Sequence, residues 1–259
     1  MSNVEFISTF CMCIYSENIN LFKNLTNLNT IILSRGISNI QFSALSNLMK
    51  LKNLELKECD LKQLSNMFNV LCSIRNLEKI VLYKCKNVTI EFFKILPCCQ
   101  KLRALCIKEC QTSFDIEYFK YIGCIPNLTI FDFRSKFLLH DALYFWYPFF
   151  DSNKLYTLLN NNISNSIKVL SLQNLRFEST NVFQKINEIM FSKNEVLTIY
   201  LRNCKFESGT YYGSGYFDCK ECPLVKVVEN NCKIVYWSNS CLTHDKKPHI
   251  LNDVFSYEF

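Results

Sequence analysis

Apolar residues recur in this chain at fixed offsets from one another and from a final cysteine. The stretches LKNLELKEC, LEKIVLYKC and LRALCIKEC begin at Leu51, Leu77 and Leu102 and share the pattern L-x-x-L-x-L-x-x-C. The central L-x-L alternation is typical of a short β-strand that buries one face. Between these stretches, apolar residues fall at helical spacing, for example at residues 92–96. The pattern therefore predicts units of strand, bend, helix and return.

The unit recurs along most of the chain, which predicts a repeat protein. One unit cannot bury its own apolar face, whereas stacked neighbours bury it together. Full copies end at Cys59, Cys85, Cys110 and Cys204, and we expect each thiol to face the backbone of adjacent copies as a weak donor. Incomplete copies begin at Leu28, Leu128, Ile167 and Leu224, and Gly36, Lys136 and Leu175 stand at the Cys position of the first three.

These units resemble leucine-rich repeats, and more narrowly the cysteine-containing repeats that are common in F-box proteins. That family follows its strand with an I/L-T-D-like helix start and often has C-P-x-L before the next strand. Residues 87–91, NVTIE, resemble the first feature, and residues 99–102 and 124–128 resemble the second imperfectly. The resemblance covers about residues 25–235 and implies a protein-binding fold.

The resemblance implies an α/β fold, namely a right-handed leucine-rich repeat solenoid of seven to eight repeats. Its curved sheet is parallel and its helices lie on the convex side. The expected domains are an N-terminal cap at 1–27, the repeat domain at 28–235 and a C-terminal cap at 236–259. The first cap is too short for an F-box. A role as the substrate-recognition subunit of a ubiquitin ligase would therefore have to act through another chain.

The residues between the buried leucines are expected to form the concave face, because side chains alternate across a strand. Basic residues dominate the column that follows the third apolar position, and aromatic and Arg side chains are the usual anchors of interfaces. We predict that this face binds an acidic segment of a partner protein. The alternative is a solvated face that only keeps the sheet soluble. The candidate partner-binding residues are Lys57, Tyr83, Lys108, Arg134, Gln173, Tyr200 and Arg202.

The interval between the copies that begin at Leu128 and Ile167 exceeds its neighbours by about a dozen residues. Helical spacing of apolar residues within 137–150 predicts a helix that ends before Pro148. The segment is rich in aromatic residues. It is expected to pack over a widened core, and the alternative is an apolar patch for a partner.

Composition narrows the class of protein. The chain has 259 residues, of which 49% are hydrophobic, enough for a continuous core. A net charge of +6 without a Lys/Arg cluster argues against a nucleic-acid partner. No apolar run reaches the ~18 residues of a bilayer span.

Cysteine usage bears on the compartment. The fifteen cysteines are odd in number and many lie within apolar patterns, which favours free thiols in a reducing compartment, cytoplasmic or nuclear. The less favoured alternative is a secreted effector or surface protein with a cleaved signal at Phe6–Tyr15.

A zinc site is the sharpest chemical alternative. Cys219-x-x-Cys222 and Cys241-x-x-His244 have ribbon-like spacing, and four such ligands suit tetrahedral zinc. No G-x-S-x-G nucleophile elbow occurs in the chain. We therefore expect a non-enzymatic scaffold or adaptor without a cofactor, and a zinc- or thiol-dependent enzyme remains the alternative from another class. The sequence leaves the partner and the oligomeric state open.

Overall fold

The chain folds as an α/β protein in which short strands alternate with short helices. This alternation agrees with the order of elements that the hydrophobic pattern predicts. The computed structural model describes residues 6–9, 25, 27–35, 39–64, 66–111, 115–135, 138–140, 144–146, 150–161, 166–177, 181–193, 197–202, 204–206, 225–228 and 232–237.

One ten-stranded sheet organises the described part of the chain. The strands in chain order are β1 (Phe6–Thr9), β2 (Thr30–Ser34), β3 (Asn53–Lys57), β4 (Lys79–Tyr83), β5 (Ala104–Lys108), β6 (Ile130–Arg134), β7 (Leu138–His140), β8 (Tyr144–Trp146), β9 (Val169–Gln173), β10 (Arg176–Phe177), β11 (Leu197–Arg202), β12 (Lys205–Phe206), β13 (Val225–Val228) and β14 (Cys232–Trp237). The sheet order is β1-β2-β3-β4-β5-β6-β9-β11-β14-β13. Every neighbouring pair is parallel except the last, in which β13 runs antiparallel to β14.

Equivalent leucines of successive units lie side by side in this sheet. Leu54 pairs with Ile80, and Ile80 pairs with Leu105, which confirms the predicted register. The register continues without a slip from β2 to β11. A slip of one residue would carry every leucine to the opposite face, so the buried pattern specifies the pairing strongly.

A second set of backbone hydrogen bonds joins the units just before each strand. The carbonyl of Lys52 accepts from the N–H groups of Glu78 and Lys79, at 2.8 and 2.9 Å. The carbonyl of Glu78 accepts in the same way from Arg103 and Ala104, at 2.8 and 3.0 Å. These bonds satisfy backbone groups that the strand ladder does not reach, and they repeat with the unit. The same two-donor arrangement occurs at the carbonyls of Asn29, Arg103 and Thr129.

The cysteines of the four full copies are buried and direct their thiols at backbone carbonyls, as predicted. The Sγ atom of Cys85 donates to the carbonyl of Leu56 at 3.2 Å, and that of Cys204 donates to Leu172 at 3.3 Å. Both acceptors lie in the preceding unit. A thiol is small enough for this bend and still supplies a weak donor to the carbonyl.

The residue directly after each of β3, β4, β5 and β9 has a left-handed backbone although it is not glycine. The N–H group of Glu58, in this conformation, donates to the carbonyl of Tyr83 at 2.7 Å. The bend therefore extends the hydrogen-bond ladder past the strand, which offsets the steric cost of a left-handed L-residue. The φ angle is 52° at Glu58, 53° at Lys84, 54° at Glu109 and 56° at Asn174.

Six helices in the described part of the chain connect successive strands. Their buried apolar side chains join the buried leucines of the strands in one core cluster. Consecutive helices contact one another, so the helices form a layer beside the sheet. Within the described residues, no helix has both the length and the apolarity that a bilayer span requires. The helices are α1 (Asn39–Ala44), α2 (Met67–Ser73), α3 (Ile90–Ile95), α4 (Ile116–Gly123), α5 (Ser152–Asn160) and α6 (Asn181–Ser192).

Five phenylalanines fill the core around the longest unit. Phe119 of α4 is fully buried, and its ring centroid lies 6.0 Å from that of Phe131, 6.1 Å from Phe133 and 5.5 Å from Phe150. The ring of Phe150 also lies 5.7 Å from that of Phe177 in the next unit. Aromatic pairs at these separations add to the free energy of burial. Phe150 is therefore core, as expected for the end of the aromatic segment.

The prediction of a helix within residues 137–150 is wrong. Leu138–His140 and Tyr144–Trp146 instead form a two-stranded antiparallel pair, with Leu138 opposite Trp146. Aromatic residues favour extended backbone, and this preference prevails over the helical spacing of the apolar positions. The helix of this unit is α5, which begins after Asp151, whose carboxylate accepts from the N–H group of Asn153 at 2.8 Å.

The predicted position of the last parallel strand is also wrong. The copy that begins at Leu224 was expected to continue the parallel sheet. The strand that pairs with β11 is β14, which places Leu197 beside Cys232, and β13 lies at the edge in the antiparallel sense. The alternation of Ile234 and Tyr236 within β14 is the pattern that the continuing sheet uses.

The phenylalanine cluster predicts a large effect of Phe119→Ala. Removing a fully buried ring leaves a cavity between α4 and β6, so we expect a loss of about 3–5 kcal/mol in the free energy of unfolding. Urea titration followed by circular dichroism measures it. The control is Ile116→Ala in the same helix, where the side chain is 40% exposed and the expected loss is below about 1 kcal/mol. Equal losses in both variants would contradict the packing described here.

Candidate functional site

The side of the sheet opposite the helix layer carries three columns of strand positions, because side chains alternate across a strand. We name the central column and the terminal column, which lies toward the C-terminal ends of the strands, the open face. Ile32, Cys106 and Tyr200 belong to it, and although buried they lie outside the core cluster. The terminal column is Ser34, Lys57, Tyr83, Lys108, Arg134, Gln173 and Arg202. The central column is Ile32, Glu55, Val81, Cys106, Asp132, Ser171 and Tyr200.

The register brings all seven predicted binding residues onto one side of the sheet. Lys57, Tyr83, Lys108, Arg134, Gln173 and Arg202 occupy successive positions of the terminal column, and Tyr200 occupies the central column. The side chain of Arg202 lies outside the described residues. The predicted binding residues therefore occupy neighbouring positions in the sheet.

The three described basic side chains of the terminal column, Lys57, Lys108 and Arg134, each contact a carboxylate of the same chain. Lys57 Nζ lies 3.3 Å from an oxygen of Glu55, two positions earlier on β3. Arg134 Nη2 lies 3.0 Å from Glu109 Oε1, which follows β5. The stripe that sequence reasoning treated as positive is therefore compensated by carboxylates of the open face and the bends.

Asp132 is the least exposed charged residue of the open face, with 0% of its side chain accessible. Its Oδ2 lies 3.6 Å from Lys108 Nζ, and its Oδ1 lies 3.5 Å from Gln173 Nε2. Burial raises the pKa of Asp132, and the neighbouring Lys108, together with a hydrogen bond from Ser171, only partly opposes the rise. Desolvation therefore outweighs the nearby positive charge.

A second cluster lies where β4 and β5 end. Lys84 Nζ sits 4.9 Å from the ring centroid of Tyr83 and 3.8 Å from Glu109 Oε2. The contact with Tyr83 raises the pKa of Lys84, and Glu109 adds to the rise. Since Glu109 also contacts Arg134, one carboxylate is shared by two cations. The ammonium group of Lys84, which Glu109 helps to position, therefore lies beside the ring of Tyr83.

The ion pairs differ in how firmly they hold their cations. Lys57 and Arg134 are 31% and 32% exposed, and exposed pairs of this kind contribute about 0–1 kcal/mol. Lys108 is 18% exposed and faces a fully buried carboxylate. Removing one partner of a buried pair costs several kcal/mol, so Lys108 is a structural cation. Among the other predicted residues, Lys57, Tyr83, Arg134 and Gln173 are partly exposed, so a partner can reach them.

Cys99 and Cys106 are poor nucleophiles. Burial raises the pKa of Cys106 to about 12 and that of Cys99 to about 11, so both are protonated near neutral pH. Contact with the Cys85 thiol, together with burial, raises the pKa of Cys59 and Cys110, and the same contacts lower the pKa of Cys85. These cysteines serve packing and hydrogen bonding.

The zinc candidates fall outside the described residues. They are Cys219, Cys222, Cys241 and His244. Within the part of the chain that the structure describes, no three His, Cys, Asp or Glu side chains converge as a metal site.

An open cleft with a volume of about 650 Å³ lies in the helix layer among the described residues. It lies where the beginnings of α4 and α5 meet α6, and it is lined by side chains of both signs, including Asp115, Asp151, Lys154 and Lys185. Lys185 Nζ already lies 4.4 Å from the ring centroid of Tyr156. The cleft therefore offers no concentrated charge or buried polar group toward a ligand.

Comparison with known proteins adds no functional assignment. No model of a known protein family matches the chain, and no curated protein is significantly similar to it. The geometry of the open face is therefore the basis for any assignment.

Sequence reasoning missed the carboxylates that compensate the stripe. Asp132 and Glu55 were visible in the column next to the basic one, and Glu109 follows Lys108 directly. Placing Lys108 on the strand beside Asp132 would have indicated a pair across neighbouring strands. The sequence pattern did not indicate that Asp132 is fully buried, because Glu55 at the equivalent position of another unit is only half-buried.

Asp132→Asn tests the buried carboxylate. The folded pKa of Asp132 lies above its unfolded value, so its contribution to stability is present below the unfolded pKa, near 3.9, and is lost as pH rises through the folded pKa. We expect the wild type to lose stability relative to the variant as pH rises from the unfolded pKa through the raised folded pKa. Denaturant titrations at stepped pH measure the difference in free energy of unfolding.

The control for this titration is Glu91→Gln, at an exposed pair with Lys94 on the helix layer. It should not reproduce the decline that Asp132 causes. A wild type that gains stability relative to Asp132→Asn as pH rises would show that attraction to Lys108, and not desolvation, dominates at this residue.

Proposed function

We propose that this chain is a leucine-rich repeat protein of the cysteine-containing class, and that it is a non-enzymatic scaffold or adaptor. Its right-handed solenoid binds a partner protein on the concave side of the sheet. The observation that supports the proposal best is the unbroken pairing of the terminal column, from Ser34 to Arg202. A periodic surface of this kind suits an extended contact with another protein. The inference from fold to role is one of analogy, so it needs a test at named residues.

The helices leave this surface available. Buried apolar side chains of the described helices belong to the core on the other side of the sheet. The accessible part of the open face is centred on Tyr83, with Lys57 on the neighbouring strand. Tyrosine is enriched among residues whose truncation costs most binding energy, because its ring buries a large area and its hydroxyl forms hydrogen bonds.

The partner chemistry differs from the acidic segment expected at first. Lys57, Lys108 and Arg134 each contact a carboxylate of this chain, so the open face alternates in charge. A purely acidic segment would meet Glu55 and Glu109 as well as the cations, and like charges at close range are costly. A protein segment with both acidic and basic side chains, and an apolar or aromatic group for Tyr83, fits this surface better.

We further propose that the protein works in a reducing compartment, the cytoplasm or the nucleus. Six of the seven free cysteines in the described residues are buried. Several of them donate a thiol hydrogen to a backbone carbonyl, for example Cys85 and Cys204. That role requires the reduced form, since an oxidised sulfur has no hydrogen to donate.

Substitution of Lys57 and Tyr83 by alanine tests the binding face. We expect the double variant to lose at least about tenfold in capture of the partners that wild type retains, since truncating an interface anchor costs about 2 kcal/mol or more. Affinity capture with quantitative mass spectrometry measures the loss, and circular dichroism verifies the fold.

The matched control removes a lysine and a tyrosine from the helix layer, Lys120→Ala with Tyr121→Ala. This variant should capture the same partners as wild type. If both double variants behave like wild type, or if the control loses the partners and the open-face variant keeps them, the binding face is misassigned.

A further inference from the structure

The helix layer holds a pair of cysteines that differs from the cysteines that follow the strands. Cys72 lies near the end of α2, and Cys98 lies in the short 3-10 turn Leu96–Cys98 after α3. Their Cα atoms are 5.7 Å apart across 26 residues of sequence, a separation typical of disulfides. Both side chains are half-buried, so small reagents reach them from the helix side. The structure joins their two sulfur atoms, whereas Cys85 has a free thiol.

The offset between successive units creates this pair. Cys72 stands five residues before Leu77, whereas Cys98 stands four residues before Leu102. The two residues therefore occupy adjacent positions of the repeat on neighbouring units. A shared position would align the two side chains in parallel, and the shift by one position brings the two sulfur atoms toward each other.

A third thiol adjoins the pair. Cys99 Sγ lies 4.0 Å from Cys98 Sγ and 3.9 Å from the carbonyl of Leu71, and its side chain is buried. Burial raises the pKa of Cys99 to about 11, so this thiol stays protonated near neutral pH. Cys99 therefore competes poorly with Cys72 for a disulfide with Cys98, although its sulfur atom is close to that of Cys98.

We propose that Cys72 and Cys98 form a reversible disulfide that joins two successive units across the helix layer. The link closes a loop that contains β4 and α3, so it restrains the unit that carries Tyr83. Cross-linking a loop of this length lowers the entropy of the unfolded chain and stabilises the fold. The disulfide lies on the opposite side from the open face, and it does not depend on the function proposed above.

Oxidised glutathione supplies the chemistry in a defined exchange. The thiolate of Cys72 or Cys98 attacks one glutathione sulfur, which forms a mixed disulfide and releases one glutathione thiolate. The second cysteine, as a thiolate, then attacks the protein sulfur of the mixed disulfide and releases the other glutathione thiolate. The two protein thiols lose two protons and two electrons, and the electrons reduce one glutathione disulfide to two thiols. Reduced glutathione reverses both steps.

Glutathione buffers of stepped oxidised-to-reduced ratio test the proposal on the full-length protein. After acid quenching, free thiols are alkylated and peptides are mapped by mass spectrometry. We expect a linked Cys72–Cys98 peptide at oxidising ratios and two alkylated cysteines at reducing ratios. Cys72 and Cys98 that remain separately alkylated at the most oxidising ratio would overturn the proposal. So would a Cys98–Cys99 or Cys98–Cys124 link in place of the predicted one.

Thermal unfolding supplies a second readout. Oxidised wild type should unfold roughly 5 °C above reduced wild type, and the shift should vanish in Cys72→Ser and in Cys98→Ser. Cys124→Ser is the matched control, because Cys124 is a half-exposed free thiol of the next unit, and it should keep the shift. A shift that persists in both Cys72→Ser and Cys98→Ser would assign the effect to other thiols and refute the proposed pair.

Discussion

Parallel register between neighbouring units is the constraint from which the rest of the structure follows. Each strand must align its leucines with those of the strands on both sides, because only that alignment places all of them in one core. Backbone bonds outside the strands repeat the same offset, both at the carbonyls before each strand and at the left-handed residues after it. The thiols of Cys59, Cys85 and Cys204 add a bond from their units to the preceding one. Local and global preferences therefore agree, which is typical of sequences that fold to one structure.

The same register determines the chemistry of the open face. Because each unit contributes one residue to every column, charges that are distant in sequence become neighbours, as Lys108 and Asp132 do. The result is a surface on which cations and carboxylates alternate, with Tyr83 among them. Such a surface contributes to selectivity more than to affinity, since it opposes partners with a single sign of charge. The helix layer, on the opposite side, carries the cysteine pair, so the proposed binding face and the proposed disulfide are separated in the fold.

Much of the sheet could be predicted from the sequence, because the spacing of the apolar residues repeats with each unit and determines the register. The pairing of Leu54, Ile80 and Leu105 and the carbonyl contacts of Cys85 are such features. The pair of strands at Leu138–His140 and Tyr144–Trp146 was missed because this segment interrupts the repeat and its apolar spacing fits a helix equally well. The compensating carboxylates were missed because ion pairs depend on side-chain conformations across neighbouring strands. Aligned sequence positions do not give those conformations.

Nuclear Overhauser effects between methyl groups test the register most directly. In protein labelled at Ile, Leu and Val methyls, the account predicts strong effects between Leu54 and Ile80 and between Ile80 and Leu105. It predicts a much weaker effect between Leu54 and Leu105, which lie two strands apart, at roughly 10 Å. Absence of the Leu54–Ile80 and Ile80–Leu105 effects, with strong contacts from Ile80 to residues at other positions of the unit, would contradict the parallel register and with it the open face.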